Sequence, residues 1–400
     1  MKRVAITGLG AVSAAGPDTA STWAAVRAGE SAIRPLQLER RDYVNCPIAA
    51  QALDFDPANY FSSKEIVPLD RFSQFSVVAA REALADSGLD TAEEAVRNAP
   101  TIVGIGVGGL CTLDDAFYRV YHENVRRVHP FVVPRLMCNA AASQVSMHLG
   151  LHGLTYAVAS ACASGTHAIG QAFNLVRSGM NKVAFAGGSE ACIAVGTIIG
   201  WEALRVLSSD TCRPFSRNRS GLVLGEGAAM LVLEEWDHAV ARGATIHAEV
   251  LGFGGNADAG DLTSPDPASA GAAMAMAIRD AGLQPADIGY INAHGTGTMM
   301  NDKVESGAIR DVFDGKPPPV SSSKAVLGHS LGATGALEAL VCAKALQEQL
   351  VPPTANCDEP DESLGVDMVP EGARKASFSA AMSNSFAFGG LNAVLVMGRA

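Results

Sequence analysis

An α/β fold built from two similar halves is the class that this 400-residue sequence predicts, and three observations carry it. Short apolar and β-branched runs alternate with helical ones along the whole chain. Glycine is abundant at 41 residues while only 18% of residues are charged, which suits tight turns and close backbone approaches more than a helical scaffold. The β-then-α rhythm also restarts past the middle of the chain. With 48% hydrophobic residues, such a length can bury a large core.

In chain order, the strand-like and helical runs are "RVAIT" at 3–7, "FSVVAAREALADSG" at 75–88, "PTIVGIGVGG" at 100–109, "TYAVAS" at 155–160, "KVAFAGG" at 182–188 and "AAMLVLEE" at 228–235. After "ARGATIHAEVLGFGGNAD" the pattern begins again, with a helix over 268–281, strands at 288–295 and 319–324, a helix over 331–348 and a final "NAVLVMG". These runs divide the chain into halves 1–250 and 251–400. The halves match in detail at one point: "SACASGTHAIGQAF" and "LGHSLGATGALEAL" both place small residues at a strand-to-helix junction ahead of an Ala-rich helix. A duplicated fold would bring both junctions to a shared pseudo-axis. "PDPAS", "GKPPPV" and "VPPTANCDEPDESLG" read as surface loops.

The formal net charge of −11 argues against a general nucleic-acid or membrane-surface binder, because those polyanionic partners need a basic face. Met1 runs straight into "KRVAITGLGAVSAAG", whose apolar stretch is short and broken by glycine, so neither a secretory signal nor a spanning helix is expected. The same stretch holds only part of a dinucleotide-binding glycine pattern. Eight cysteines, at 46, 111, 138, 162, 192, 212, 342 and 357, are scattered without a C-x-x-C pair. A reducing, cytoplasmic setting is expected, with no zinc-ligand spacing.

Cys162 follows "TYAVAS" and precedes Ala168, Ile169, Ala172, Phe173 and Val176 at helical spacing, up to Gly179. Its sulfur therefore sits at or near a helix N-terminus, where unpaired amides and the positive end of the helix dipole favour the reactive thiolate. Small neighbours Ala161, Ala163, Ser164 and Gly165 leave room for a substrate. Taken alone, such a cysteine is more often a small buried core residue than a nucleophile. "NAHGTGTMMND" at 292–302 puts His294 at a strand end before Gly295, Thr296, Gly297 and Thr298, a loop suited to folding closely around a ligand. "SSSKAVLGHSLGATGA" puts His329 at a second strand-to-helix junction. A lone histidine is usually an ordinary residue. Two at glycine-flanked strand ends, with a cysteine at a third such junction, form a coherent nucleophile and acid–base set.

"ACASG", "NAHGTGT", "SSSKAVLGHSLGATGALE" and "SNSFAFGGLNAVLV" resemble the signatures of the β-ketoacyl-[acyl-carrier-protein] synthases of the elongating, Cys-His-His type. The resemblance spans essentially the whole chain, from "VAITGLGAVSAAG" through "RPFSRNRSGLVLGEGAAMLVLE" to the end. It implies a thiolase-like fold, two pseudo-symmetric βαβ halves in a layered α-β-α-β-α body, built as a homodimer. By the same resemblance Cys162 takes an acyl group from an acyl-carrier protein, malonyl-carrier protein loses CO₂, and the resulting enolate attacks the Cys162 thioester. His294 and His329 would stabilise charge on the malonyl thioester oxygen, and the amides of Cys162 and Phe388 would form the oxyanion hole. No metal or cofactor is implied beyond the carrier's phosphopantetheine.

The resemblance further assigns Lys324 to holding and polarising the surroundings of His329, and Asp302 and Glu305 to orienting the site, with Glu226 in a similar part. Val107 and Trp201 would wall an acyl tunnel with Phe388 as a rotating gate, although plain core packing explains Val107 and Trp201 equally well. Thr296 and Thr298 would bond the pantetheine arm, with Thr263 at the mouth. Lys64, Arg71, Arg126, Arg127 and Arg205 are by position the candidates for docking an acidic carrier protein, although each alone is more often a solvated surface charge. Four positions depart from the family pattern: Ala387 for glycine, Leu391 for threonine, Leu222 for phenylalanine and Met299 for proline. They leave the Cys-His-His set intact, while "DTCRPFS", "QVSMHLGL" and the Ala387 gate resemble a specialised branch that includes nodulation-type synthases.

Other members of the superfamily fit less well. A non-catalytic chain-length partner in a heterodimer normally lacks the cysteine, a thiolase needs a second C-terminal cysteine, and a starter-unit synthase has asparagine where His329 stands.

Overall fold

The computed structural model describes all 400 residues. Ten strands form its sheet: β1 (Val4–Ser13), β2 (Thr101–Gly104), β3 (Thr155–Val158), β4 (Val183–Glu190), β5 (Gly227–Glu235), β6 (Ala248–Ala257), β7 (Ile288–Asn292), β8 (Val320–Ser321), β9 (Ala380–Ala387) and β10 (Leu391–Gly398). Their order across the sheet is β8-β7-β9-β10-β6-β1-β5-β4-β2-β3. Numbered within its own five strands, each half therefore has the order 3-2-4-5-1. The pairing repeats as well: the first three neighbours run parallel and the last two pairs antiparallel in both halves. The halves meet through only three register pairs between β1 and β6, Val4 with Val250, Ala5 with Glu249 and Ile6 with Ala248.

Buried faces explain the strand sequences. Along β5, Ala229, Leu231 and Leu233 face one core while Ala228, Met230 and Val232 face another, so this strand reads as a continuous apolar run. The first core encloses α4 (Ser164–Arg177) and α8 (Thr334–Glu348), which lie between the two halves. Almost every residue of α8 is buried, as its Ala-rich, all-round apolar sequence requires. On the outer face of the first half pack α1 (Arg71–Ser87) and α3 (Ala140–Leu149), while α2 (Leu110–Tyr121) and α5 (Val195–Leu204) share an apolar groove. On the outer face of the second half pack α6 (Pro267–Asp280) and α7 (Met299–Val312). The result is a five-layered α-β-α-β-α body.

The glycine pattern near the N-terminus has a packing role instead of a nucleotide-binding one. Gly10 lies within β1, and a Cβ there would stand 1.9 Å from the Ala79 carbonyl oxygen of α1. Gly254 does the same in β6, where a Cβ would stand 2.3 Å from the Ala273 oxygen of α6. Each lets a helix lie directly on its strand.

Several elements differ from the sequence expectation. Strand 319–324 is only Val320–Ser321, because Lys324 already opens the helical turn Lys324–Leu327. Strand 288–295 ends at Asn292, leaving His294 on the loop beyond it. Strands β6 and β9 were not anticipated, and the expected break at 250/251 falls inside β6.

Candidate active site

Cys162 occupies a single 3-10 turn, Ala161–Ala163, that leads directly into α4. The turn is entered through Ala161 at φ 48, a left-handed conformation that costs a residue with a Cβ roughly 1–2 kcal/mol. The second junction is built alike: Leu331 has φ 42, and the turn Leu331–Ala333 leads into α8. The two junctions abut so closely that a Cβ on Gly165 would stand 2.9 Å from the Gly332 oxygen and the Ala336 nitrogen.

This contact brings His329 to the cysteine. Its Nε2 lies 3.1 Å from Cys162 Sγ, and its Nδ1 lies 3.0 Å from Thr334 Oγ1. His294, on the loop after β7, sets its ring centroid 5.4 Å from that of His329 and nearly perpendicular to it. Its Nδ1 is buried without a hydrogen-bond partner. All three side chains line one cavity of about 130 Å³, together with Trp201, Thr263, Thr296, Thr298 and Phe388. Leu222 and Ala387, two of the four departures from the family pattern, line it too.

Burial fixes the protonation states. Desolvation pushes the Cys162 thiol up to about 12, against the opposing pull of the Lys324 charge and of hydrogen bonds from the amides of Cys162 and Phe388. The resting group is thus a neutral thiol, not the preformed thiolate expected from the helix terminus alone. Desolvation, helped by the Lys324 charge, holds both histidines well below the usual imidazole range, and the His329 ring further depresses His294. Both imidazoles stay neutral through the neutral pH range. Malonyl decarboxylation is accordingly expected to hold a constant rate from about pH 8 to about pH 6, measured as CO₂ release; a falling limb centred near the ordinary histidine value of about 6.5 would contradict this.

Lys324 and Glu338 form an ion pair of 2.5 Å, with both side chains 1% exposed. Burial raises the Glu338 carboxyl to about 7. Glu305 accepts hydrogen bonds from the amides of His294 and Gly295, each at 2.8 Å. Asp302 accepts from the amides of Phe215 at 2.8 Å and Gly297 at 3.2 Å. These carboxylates hold the backbone that carries His294 and do not reach the thiol. Glu305→Ala would leave three buried donors, the amides of His294 and Gly295 and Asn384 Nδ2, without this acceptor, so a stability loss of roughly 2–4 kcal/mol is expected from denaturant unfolding, with decarboxylation slowed more than Cys162 alkylation.

Thr296 and Thr298 face each other at 2.9 Å between hydroxyls, and Thr263 sits on the exposed loop at the mouth. The Phe388 ring stacks on Trp201, centroids 5.7 Å apart at 24°. Trp201 also borders an apolar groove of about 370 Å³ lined by Leu110, Leu113, Phe117 and Leu204.

Three expectations need correction. Val107 does not line the cavity: its amide is turned to Glu190, and the residue is 38% exposed. Arg71 is not a free docking cation, because its guanidinium is paired at 2.7 Å with the buried carboxylate of Glu226. Glu226 in turn anchors Arg71 and the Ala52 amide rather than the histidine loop. Lys64, Arg126, Arg127 and Arg205 are exposed. One buried residue escaped sequence reasoning: Glu190, at the end of β4, accepts from the amides of Gly106 at 2.7 Å and Gly332 at 3.1 Å, and more weakly from Val107 and Gly108. It ties the loop after β2 to the second junction.

A buried thiol and two neutral imidazoles, brought together where two like halves meet, are the side-chain set of a condensing enzyme of the thiolase-like fold. The chain belongs to the β-ketoacyl synthase family: residues 1–239 match the family's N-terminal domain and residues 247–358 its C-terminal domain. It is 45% identical over 396 residues to Nodulation protein E of Rhizobium sp. (strain N33), covering 98% of both chains. It is 41% identical over 404 residues to 3-oxoacyl-[acyl-carrier-protein] synthase 2 of Staphylococcus aureus (strain COL), covering 99% of this chain and 98% of that one. Among solved structures, the ishigamide ketosynthase/chain length factor superposes with a TM-score of 0.96 at 34% identity, over 100% of this chain and 99% of that one.

Proposed function

We propose that this protein elongates an acyl chain by two carbons through decarboxylative Claisen condensation, with Cys162 as the acyl acceptor. The observation that carries this reading is the 3.1 Å approach of His329 Nε2 to Cys162 Sγ in a cavity shared with His294. Cys162 Sγ attacks the thioester carbonyl of an acyl-carrier protein, the negative oxygen is held by the amides of Cys162 and Phe388, and the thiol proton leaves with the departing pantetheine sulfur. Malonyl-carrier protein then binds, and the C–CO₂ bond breaks to give CO₂ and an enolate. His294 and His329 donate hydrogen bonds to the enolate oxygen as neutral imidazoles. The enolate carbon bonds to the acyl carbon, the Cys162 thiolate leaves, and it takes one proton from solvent water to restore the thiol. Because the Thr334 hydroxyl can donate or accept, it serves His329 in either tautomer.

Thr296, Thr298 and Thr263 hold the pantetheine arm, and Lys64, Arg126, Arg127 and Arg205 meet an acidic carrier protein. Its phosphopantetheine is the only prosthetic group the reaction needs. The apolar side chains left exposed at Phe117, Tyr121, Phe131 and Val133 suit a dimer face, homodimeric or with a non-identical partner. No helix is long and apolar enough to cross a membrane. Eight free cysteines fit a cytoplasmic setting.

Trp201 limits the acyl chain, since its ring stands between the cavity and the outer groove. Trp201→Ala is expected to shift the preferred acyl substrate several carbons longer in a chain-length panel; an unchanged profile would remove Trp201 from this role. The function itself is tested by product analysis with malonyl- and acyl-carrier proteins, where a β-ketoacyl product two carbons longer than the primer is expected and its absence counts against the reading.

A further inference from the structure

We infer that His167 is a positioning residue for the nucleophile, acting on Cys162 through Ser160. This rests on the proposed role of Cys162 as acyl acceptor. Ser160 Oγ lies 2.8 Å from His167 Nδ1. The Ser160 amide donates to Ser164 Oγ at 2.8 Å, and the Ser164 hydroxyl donates to the Ala161 oxygen at 2.7 Å. Ala161, the residue in the left-handed conformation, is therefore braced on both sides by side chains of its own junction. Ser160 is buried, and the His167 ring packs edge-on against Phe253 with centroids 5.9 Å apart. Burial also lowers the His167 pKa, so the brace is a bond between a hydroxyl and a neutral imidazole at neutral pH.

The second half of the chain provides the comparison that separates positioning from folding. There Ser330 stands for Ser160, Leu331 for Ala161, Gly332 for Cys162, Thr334 for Ser164 and Leu337 for His167. Leu331 takes up the same left-handed conformation, followed by the same 3-10 turn and helix. Yet Leu337 offers Ser330 no bond, and Ser330 Oγ is buried without a partner. The turn thus forms without the imidazole. What distinguishes the first copy is that it must aim a sulfur at two amides and at His329, whereas Gly332 has no side chain to aim. A displacement of about 1 Å at a reacting atom can cost about 100-fold in rate, so a brace confined to the copy that carries the nucleophile has a purpose.

The test makes the first junction like the second. His167→Leu is expected to fold with an unchanged circular dichroism spectrum and a near-unchanged melting midpoint. Its Cys162 alkylation by iodoacetamide and its condensation kcat are expected to fall about tenfold, with KM for malonyl-carrier protein unchanged. His167→Asn, whose amide can place a polar atom near the position of Nδ1, is expected to restore most of the alkylation rate. Ser160→Ala and the double variant Ser160→Ala/His167→Leu should match His167→Leu, because both members act through one bond. Wild-type alkylation in His167→Leu, no recovery in His167→Asn, or losses that multiply in the double variant would each overturn the inference. If wild-type Cys162 takes no acyl group from an acyl-carrier protein, the parent reading falls and this one with it; if it does and His167→Leu reacts equally fast, only this inference falls.

Discussion

Cys162→Ser is expected to lower condensation by at least about 1,000-fold while leaving CO₂ release from malonyl-carrier protein within about tenfold of wild type. The two outcomes separate because the proposed mechanism assigns the two half-reactions to different side chains. Serine fits the turn and can bond His329 Nε2, so the fold and the cavity persist. Its hydroxyl is a far weaker nucleophile than a thiol and has no general base other than an imidazole already shifted well below its usual range. On the proposed mechanism decarboxylation instead depends on the neutral imidazoles of His294 and His329, which the substitution leaves in place. Radiolabelled malonyl-carrier protein reports both steps in one assay, as released CO₂ and as label in the β-ketoacyl product. Equal loss of the two would mean that Cys162 and the histidines do not divide the chemistry in this way.

Lys324→Met is expected to produce the largest loss of stability, about 3–5 kcal/mol, because it leaves Glu338 buried without its counter-charge. Protonation of Glu338 relieves part of that cost. Its folded-state pKa, already raised, would rise further without the cation, so the variant should be most stable below the ordinary carboxyl range and lose stability as pH rises through the folded value. The catalytic consequence has the opposite origin. The Lys324 charge is one of the causes that depress both histidines, so its removal lets them titrate at higher pH. The acid limb of decarboxylation should therefore move upward in Lys324→Met. The double variant Lys324→Met/Glu338→Leu should regain most of the stability by removing both charges, yet keep the shifted acid limb. Recovery of the wild-type pH profile in the double variant would show that Lys324 acts through packing and not through its charge.

The parts of the fold that were legible in the sequence are those whose pattern is local. β5 announces itself because both of its faces are buried, and α8 because it is apolar all round. Strand β6 was hidden by the glycines that admit α6, and β9 by buried polar residues whose partners lie far away, as in the 2.7 Å contact of Ser385 with Thr166. The same distinction governs the site. Cys162, His294 and His329 stand at junctions that glycine and small residues mark in the sequence. Glu190 draws its partners from residues 106–108 and 332, so nothing near it in the chain reveals its part. Arg71 looked like a surface cation because Glu226, which neutralises it, is distant in sequence. Val107 lies outside the cavity and is 38% exposed, although its apolar, glycine-rich stretch reads like a buried wall.

Mass spectrometry of the acyl-enzyme tests the central claim most directly. After incubation with an acyl-carrier protein, the peptide containing Cys162 should carry the mass of one acyl group while the other seven cysteine positions stay unmodified, and malonyl-carrier protein should discharge it as a product two carbons longer. An acyl mass on a different residue, or elongation that proceeds while the Cys162 peptide remains unmodified throughout, would contradict it.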